Sequence, residues 1–445
     1  DTYRPAVGRN RCRVRRNRRR APHDIRGNDL CNSGAAAAND EGRGAICRKP
    51  RYDGKIRLTS QHARWRCRFL AKRGLPNSER STGVCRSCSR GRRKPMSISA
   101  AGSPTTMTQM QLRELNIGCF GGGTGLPSLL GGLKTNPWLR VNAVVTMFDS
   151  GGSSGQLRDE LGVLPPGDVL KCALALARNE GEARRVLLSR LPTLEQHARL
   201  GGHTGGNLLL SMMEQYSGDF LAAVDGLRTL LGCKGRVWPV SVEPASVCAE
   251  YGDGSQTRGE VEVDAGQSRG HQVRRIWLEP VPSIHPAVAA AIEEFDAVII
   301  GPGSFFTSLT PPLLVRGVPE ALAHVRGPII VIANLLTEGR GMSGFTAADA
   351  VRWVSRAINR RVDVVIANTG RPSSDSLARY AAEHKVPLEL GDLDPSCEPI
   401  LGEFWCREIA RHDRRRLSFA VWSVLSERLL QTKGSHAWLH SSHSR

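Results

Sequence analysis

Leu115-Asn-Ile-Gly-Cys-Phe120 runs into Gly121-Gly-Gly-Thr-Gly125, and Leu126–Leu133 follows with apolar residues at helical spacing. A short apolar strand that ends in glycines and turns at once into a helix opens a βα unit. The same order recurs downstream. Asn142–Phe148, Arg236–Val240, Ala297–Ile300, Pro328–Ala333 and Val362–Ala367 read as further strands. Between them Val169–Ala177, Leu208–Tyr216, Phe220–Leu230, His285–Glu293, Val318–His324, Ala347–Ile358 and Ser374–His384 carry a helical period. The pattern predicts an α/β, Rossmann-like fold: a mostly parallel sheet with helices on both faces. Val247–Leu278 alternates around Tyr251-Gly-Asp-Gly254 and again over Glu260–Asp264, which predicts a small β-hairpin insertion on the sheet's edge. A last helix, Arg414 to Leu430, is expected to pack back through Leu417, Val421 and Val424. With no internal repeat or long linker, 107–430 reads as one domain and 431–445 as a flexible tail.

The chain has 445 residues and a formal net charge of +20, unevenly placed. Before Met107 lie 27 of the 62 Lys and Arg but only 7 of the 42 Asp and Glu, so the remainder carries 35 of each. The basic character therefore belongs to the leader, and nucleic acid is not the expected partner of the folded domain. Residues 1–106 lack sustained apolar periodicity and are predicted to be a disordered basic leader. The runs Arg13–Arg20 and Arg90–Lys94 have the charge density that neutralises nucleic-acid phosphates. The plainer reading is translated sequence ahead of a start at Met107, because the first methionine is Met96 and the stretch is rich in Arg, Ser and Gly. A targeting peptide fits less well, since Asp24, Asp29, Asp40 and Glu41 interrupt the basic residues and no apolar core follows. Cys85 and Cys88 form a CxxC with no second pair at zinc-ribbon spacing, and the six cysteines from Cys119 onward read as small buried hydrophobes. No apolar run approaches the length of a membrane span.

The loops carry the chemistry. Gly121, Gly122, Gly123, Thr124 and Gly125 leave the backbone bare before a helix start, whose free N–H groups and positive dipole end suit a phosphate; a plain tight turn is the other reading. Leu126 stands where the dinucleotide fingerprint would have its third glycine. The second strand ends in Asp149-Ser-Gly-Gly-Ser-Ser-Gly155. Asp149 stands where such folds put the acceptor of a ribose hydroxyl, and Ser150, Gly151, Gly152, Ser153 and Ser154 can form a second anion nest. An Asx-turn is the alternative for Asp149. Asp168, after Leu164-Pro-Pro-Gly, reads first as a helix N-cap. Arg158 could pair with Asp159 or meet a phosphate. His203 is a candidate acid or base, and Asn207 a candidate base or ribose contact or a cap. Gly301-Pro-Gly303-Ser304 follows another strand, as do Asn334 and Asn368-Thr-Gly370. Polar turns gathered at strand C-termini are where open α/β sheets place a ligand.

The ordered series Gly121–Gly125, Asp149–Gly155, Leu157-Arg-Asp-Glu-Leu-Gly162, Leu164–Asp168, Gly206-Asn207 and Gly301–Ser304 resembles the gluconeogenesis-factor family, in the superfamily of 2-phospho-L-lactate transferase. The resemblance runs from about Ile117 to Leu430. It implies a Rossmann-like fold, a cytoplasmic location and binding of a UDP-sugar such as UDP-N-acetylglucosamine. It also implies a regulatory role in carbon metabolism and cell shape or envelope synthesis, with a regulatory protein partner and a homo-oligomeric state. Many relatives have a second acid where Ser150 stands, so a Mg²⁺ site built on paired acids loses a ligand here. A nucleotide-sugar-binding regulator is the leading expectation. A phosphoryl-linked transferase with a nucleotide-diphosphate donor is the alternative, with Asp149, Asp168 and His203 as the available catalytic groups. An NAD-dependent oxidoreductase lacks its fingerprint.

Overall fold

The structure, a computed structural model, describes residues 113–192, 201–406 and 409–430. The expected leader and tail lie outside the described residues. The strands are β1 (Leu115–Gly121), β2 (Leu139–Val145), β3 (Gly235–Pro239), β4 (Ser246–Tyr251), β5 (Gln256–Arg258), β6 (Val273–Glu279), β7 (Ala297–Ile300), β8 (Ile329–Ile332), β9 (Val364–Asn368) and β10 (Glu398–Gly402).

Every residue of β1, β7 and β8 is buried, as expected of parallel strands covered on both faces. At Gly118 a Cβ would overlap the Phe295 ring, so the centre of β1 has no room for a side chain. The sheet runs β10-β9-β8-β7-β1-β2-β3 with each neighbouring pair parallel. Strand order reverses between β1 and β7. The chain builds outward one way through β2 and β3, then the other way through β8, β9 and β10. Right-handed crossovers send the connecting helices of the two halves to opposite faces.

Helix Gly167–Leu176 is the most enclosed connection. All its residues are buried except Lys171, so it is a core helix rather than an amphipathic cover. Helix Ala347–Ala357 instead shows a buried stripe (Ala347, Ala350, Val351, Val354) and starts in a Thr346/Asp349 capping box. Helix Gly205–Ser217 begins at the Thr204 cap and ends at Gly218 in the left-handed region.

Three expectations need correction. The hairpin is present, with β4 antiparallel to β5, but it forms its own three-stranded sheet, β5-β4-β6, apart from the large sheet's edge. Glu260–Asp264 is not a strand: Glu260–Arg269 is a helix. Asp168 is not a cap: the helix begins at Gly167 after Pro166, and Asp168 sits in its first turn. Helices Gly152–Leu161 and Glu180–Leu187, strand β10 and the short pair Trp405–Cys406 with Ile409–His412 had no counterpart in the sequence reading.

Candidate functional site

The reversal point brings together the turns that leave β1, β2 and β7. Gly123 has φ +61°, a backbone shape that favours glycine, and a Cβ there would meet only Ser308 Oγ, at 3.4 Å. Space is therefore open on the outer side of the loop. At Gly122 a Cβ would instead press on Thr146 and on the Asp168 carboxylate. Asp168 Oδ2 accepts from Gly123 N–H at 2.6 Å, and its Oδ1 pairs with Lys171 Nζ at 2.8 Å. The core helix thus delivers a buried carboxylate whose work is to hold the first glycine loop in shape. At Gly125 a Cβ would overlap the Pro302 carbonyl, so the turns after β1 and β7 meet across the reversal.

Two helices start at this crevice without side-chain caps. Helix Gly125–Leu133 follows Thr124, whose hydroxyl caps nothing, and helix Gly152–Leu161 follows Gly151. Neither has an acid in its first turn. Their leading N–H groups can be satisfied by water or by an anionic ligand.

The acids cluster beside the second loop. Asp149 Oδ1 accepts from Gly151 N–H at 2.8 Å, which is the Asx-turn geometry. Glu260, on the first turn of the helix in the insertion, hydrogen-bonds the Asp149 carboxyl, and its Oε2 accepts from Ser150 N–H at 3.1 Å. Burial, the hydrogen bond and the charge of Asp149 together push the Glu260 carboxyl well above the usual carboxylate range. One proton between two carboxyls relieves the repulsion. Ser150 Oγ accepts from Val261 N–H at 3.3 Å, so Ser150 anchors the helix that supplies Glu260. The donor set, all carboxylate oxygens, suits a hard cation, yet among the described residues no group of three His, Cys, Asp or Glu is arranged to hold a metal.

The remaining candidates divide. Ser153 Oγ lies 2.9 Å from His203 Nδ1 and accepts from Asn207 Nδ2 at 3.0 Å, while Ser154 Oγ accepts from Gly167 N–H at 3.1 Å. His203 and Asn207 are buried and act as braces behind the loop; Thr204, not Asn207, caps the helix Gly205–Ser217. Arg158 pairs with Asp159 at 2.9 Å and also reaches the Asp149 carbonyl. After β7, Ser304 Oγ donates to Glu338 Oε2 at 3.1 Å, Phe305 N–H donates to Oε1 at 2.7 Å, and Asn334 bridges Gly303 O and Glu338. Burial pushes Glu338 up to about 7. Sequence reasoning missed Glu260 and Glu338, because each reaches its loop from a distant part of the chain.

The family described as 2-phospho-L-lactate transferase CofD matches residues 117–402. A protein of Halalkalibacterium halodurans named gluconeogenesis factor is 35% identical over 318 residues, covering 70% of this chain and 96% of its own. The chain belongs to this family. Within it, a gluconeogenesis factor of Listeria monocytogenes is 33% identical over 315 residues, covering 69% and 94%. A Nostoc sp. relative is 40% identical over 276 residues, which span 61% of this chain but only 59% of the Nostoc protein. The fold has a crystal counterpart in a UPF0052 family member from Bacillus halodurans, with a TM-score of 0.64, 32% identity and coverage of 70% of this chain and 99% of that one. The family match spans every glycine loop described above. Among the described residues no helix is long and apolar enough to cross a membrane.

Proposed function

We propose that the chain is a cytoplasmic nucleotide-sugar-binding regulator, with a UDP-sugar such as UDP-N-acetylglucosamine as its ligand. The observation that carries this reading is the pair of uncapped helix starts at the strand reversal, beside glycine turns that meet at Gly125 and Pro302. Bare N–H groups suit the diphosphate, and Asp149 suits ribose or sugar hydroxyls. A regulator of this kind links carbon metabolism and cell shape by offering a partner protein a ligand-dependent surface. A second reading, transfer of a phosphoryl-linked group from a nucleotide-diphosphate donor, is favoured by the proton-sharing pair Asp149 and Glu260, which could take a proton from an acceptor hydroxyl.

Asp149→Asn separates the two. In the regulator it should weaken UDP-sugar binding by about 1–3 kcal/mol through a lost charge-assisted contact. The parent should consume no UDP-sugar, with or without Mg²⁺. Calorimetry reads the first outcome and chromatography of the nucleotide after long incubation the second. Steady UDP release that depends on Asp149 would promote the transferase. Unchanged affinity without turnover would leave Asp149 as a turn residue.

A further inference from the structure

Gly151-Gly-Ser153-Ser-Gly155, between β2 and helix Gly152–Leu161, is also a G-x-S-x-G sequence, a feature that anion binding does not use. In that sequence a sharp strand-to-helix turn presents a serine hydroxyl as a nucleophile, with small residues where the chain folds closely on itself. The backbone here has that shape. Gly152 lies at φ +52°, directly before Ser153, and a Cβ at Gly155 would overlap the Ser150 carbonyl.

The two serines of the turn are used differently. Ser154 is buried and its Oγ accepts from Gly167 N–H, whereas Ser153 is half-buried with its Oγ 2.9 Å from His203 Nδ1. Asn207 Nδ2 donates to the same Ser153 Oγ at 3.0 Å, and Nδ1 is the acceptor in reach of the hydroxyl's own proton. The ring then carries its proton on Nε2, and the serine is bonded to a free base. The base is held from behind: Leu191 N–H donates to the His203 carbonyl at 3.0 Å, beside a bridge between Arg190 and Thr204. Asn207 is buried, yet its Oδ1 has no partner among the described residues. A buried acceptor left open on the residue that bonds Ser153 suits an incoming O–H, such as that of water. The helix start lacks a side-chain cap, so the Ser154 N–H is available to an oxyanion.

We propose that Ser153 and His203 form a nucleophile–base dyad that cleaves a carboxylic ester bound in this crevice, an activity that goes beyond nucleotide-sugar binding and does not rest on it. Ser153 Oγ attacks the carbonyl carbon while its proton passes to His203 Nδ1, and the oxygen that becomes negative accepts from the Ser154 N–H. The bond to the alcohol oxygen breaks, and the alcohol leaves with that proton. Water then attacks the acyl-serine and gives its proton to Nδ1; the carboxylic acid leaves as the proton returns to Oγ. Among the described residues no carboxylate bonds His203, so the base lacks the orienting acid of a triad. An ester is therefore the fitting substrate class, because an alcohol leaves more readily than an amine.

The test treats the full chain with a serine-reactive fluorophosphonate, in which an Oγ–P bond forms as fluoride leaves, and maps the adduct by peptide mass spectrometry. The dominant adduct should lie on Ser153, forming faster as pH rises and levelling once the base is neutral. His203→Gln should slow its formation about 10²–10⁴-fold while keeping the parental circular dichroism. Ser153→Ala should lose the adduct and, with it, the parental release of p-nitrophenol from p-nitrophenyl acetate. If His203→Gln does not fold, the pH dependence of labelling in the parent reads the same base. No adduct on Ser153, or a labelling rate that ignores His203 or pH, would overturn the dyad.

Discussion

The turns after β1 and β7 look alike in sequence, each a glycine cluster at the end of a buried strand, yet they are built for different work. The first opens outward: Gly123 faces open space and an uncapped helix follows. The second is closed. It leads into the π-helix Phe305–Leu309, whose Phe305 and Phe306 pack against Phe345 and Trp353 with ring centroids 5.2–6.4 Å apart, mostly edge-on. Each turn is held by one carboxylate that accepts a backbone N–H, Asp168 for Gly123 and Glu338 for Phe305. The difference lies in charge balance. Asp168 has Lys171 at 2.8 Å, whereas among the described residues Glu338 has only neutral hydrogen-bond donors. An open loop with a balanced anchor suits ligand contact; a closed loop with an unbalanced anchor is scaffold with a built-in pH dependence.

The largest expected effect breaks the comparison at its open side. Gly123→Val should abolish nucleotide binding, because it forces a β-branched residue to φ +61° and fills the space outside the loop. Gly303→Ala, whose Cβ would lie 3.1 Å from Leu309 and 3.4 Å from the Gly122 carbonyl, should cost at most about 1–2 kcal/mol of stability and little affinity. Gly131→Ala should bind as the parent does, since its Cβ meets only the movable guanidinium of Arg414, at 2.8 Å. Calorimetry on the three variants decides the matter; a Gly123 variant with parental affinity would erase the distinction between the loops.

What was legible in the sequence was local. The glycine turns, the strands they end and the capped helices announce themselves within about ten residues, so the parallel sheet and the loop cluster could be read directly. The anchors could not. Glu260 stands 110 positions from Ser150 and Glu338 is 34 from Ser304, so the contacts exist only after folding. Glu260-Val-Glu-Val-Asp264 also alternates like a strand. The buried positions of its helix are Val263, Gly266 and Gln267, at helical spacing but with only one apolar side chain among them, so a count of hydrophobes misses the period. Helix Gly152–Leu161 hides for a related reason: it opens Gly-Ser-Ser-Gly, residues that favour turns over helix interiors. Strand β10 is partly exposed and carries Pro399, both tolerable at an edge.

The balanced anchor gives the next effect in size. Asp168→Ala removes the acceptor of the Gly123 N–H and strands Lys171, so it should cost about 2–4 kcal/mol of stability and weaken nucleotide binding by loosening the first loop. Adding Lys171→Met should restore part of that stability, because the uncompensated charge goes with it, but should not restore binding. Urea denaturation alongside calorimetry separates the two losses. Equal stability of the single and double variants would mean that Lys171 does not balance Asp168.

The smallest effect belongs to the closed loop and is read through pH. The folded protein holds the Glu338 proton up to about 7, whereas an unfolded glutamate releases it at about 4.3. The folded pKa is the higher one, so the stabilisation is fully present below the unfolded value and is lost as pH rises through the folded one. Above pH 7 the carboxylate is ionised in both states and the loss is complete. Glu338→Gln keeps an acceptor for Phe305 N–H and has no proton to lose, so its stability relative to the parent should rise between pH 5 and 8 by about 1–3 kcal/mol. The parent curve alone would not show this. Glu260 titrates in the same direction, and burial lowers His412 to about 4, which contributes stability that is lost as pH falls. Both are present in parent and variant, so the difference between the two melting profiles isolates Glu338. A difference that stays flat across that window would show that the turn after β7 is anchored without strain and that the two carboxylates are equivalent.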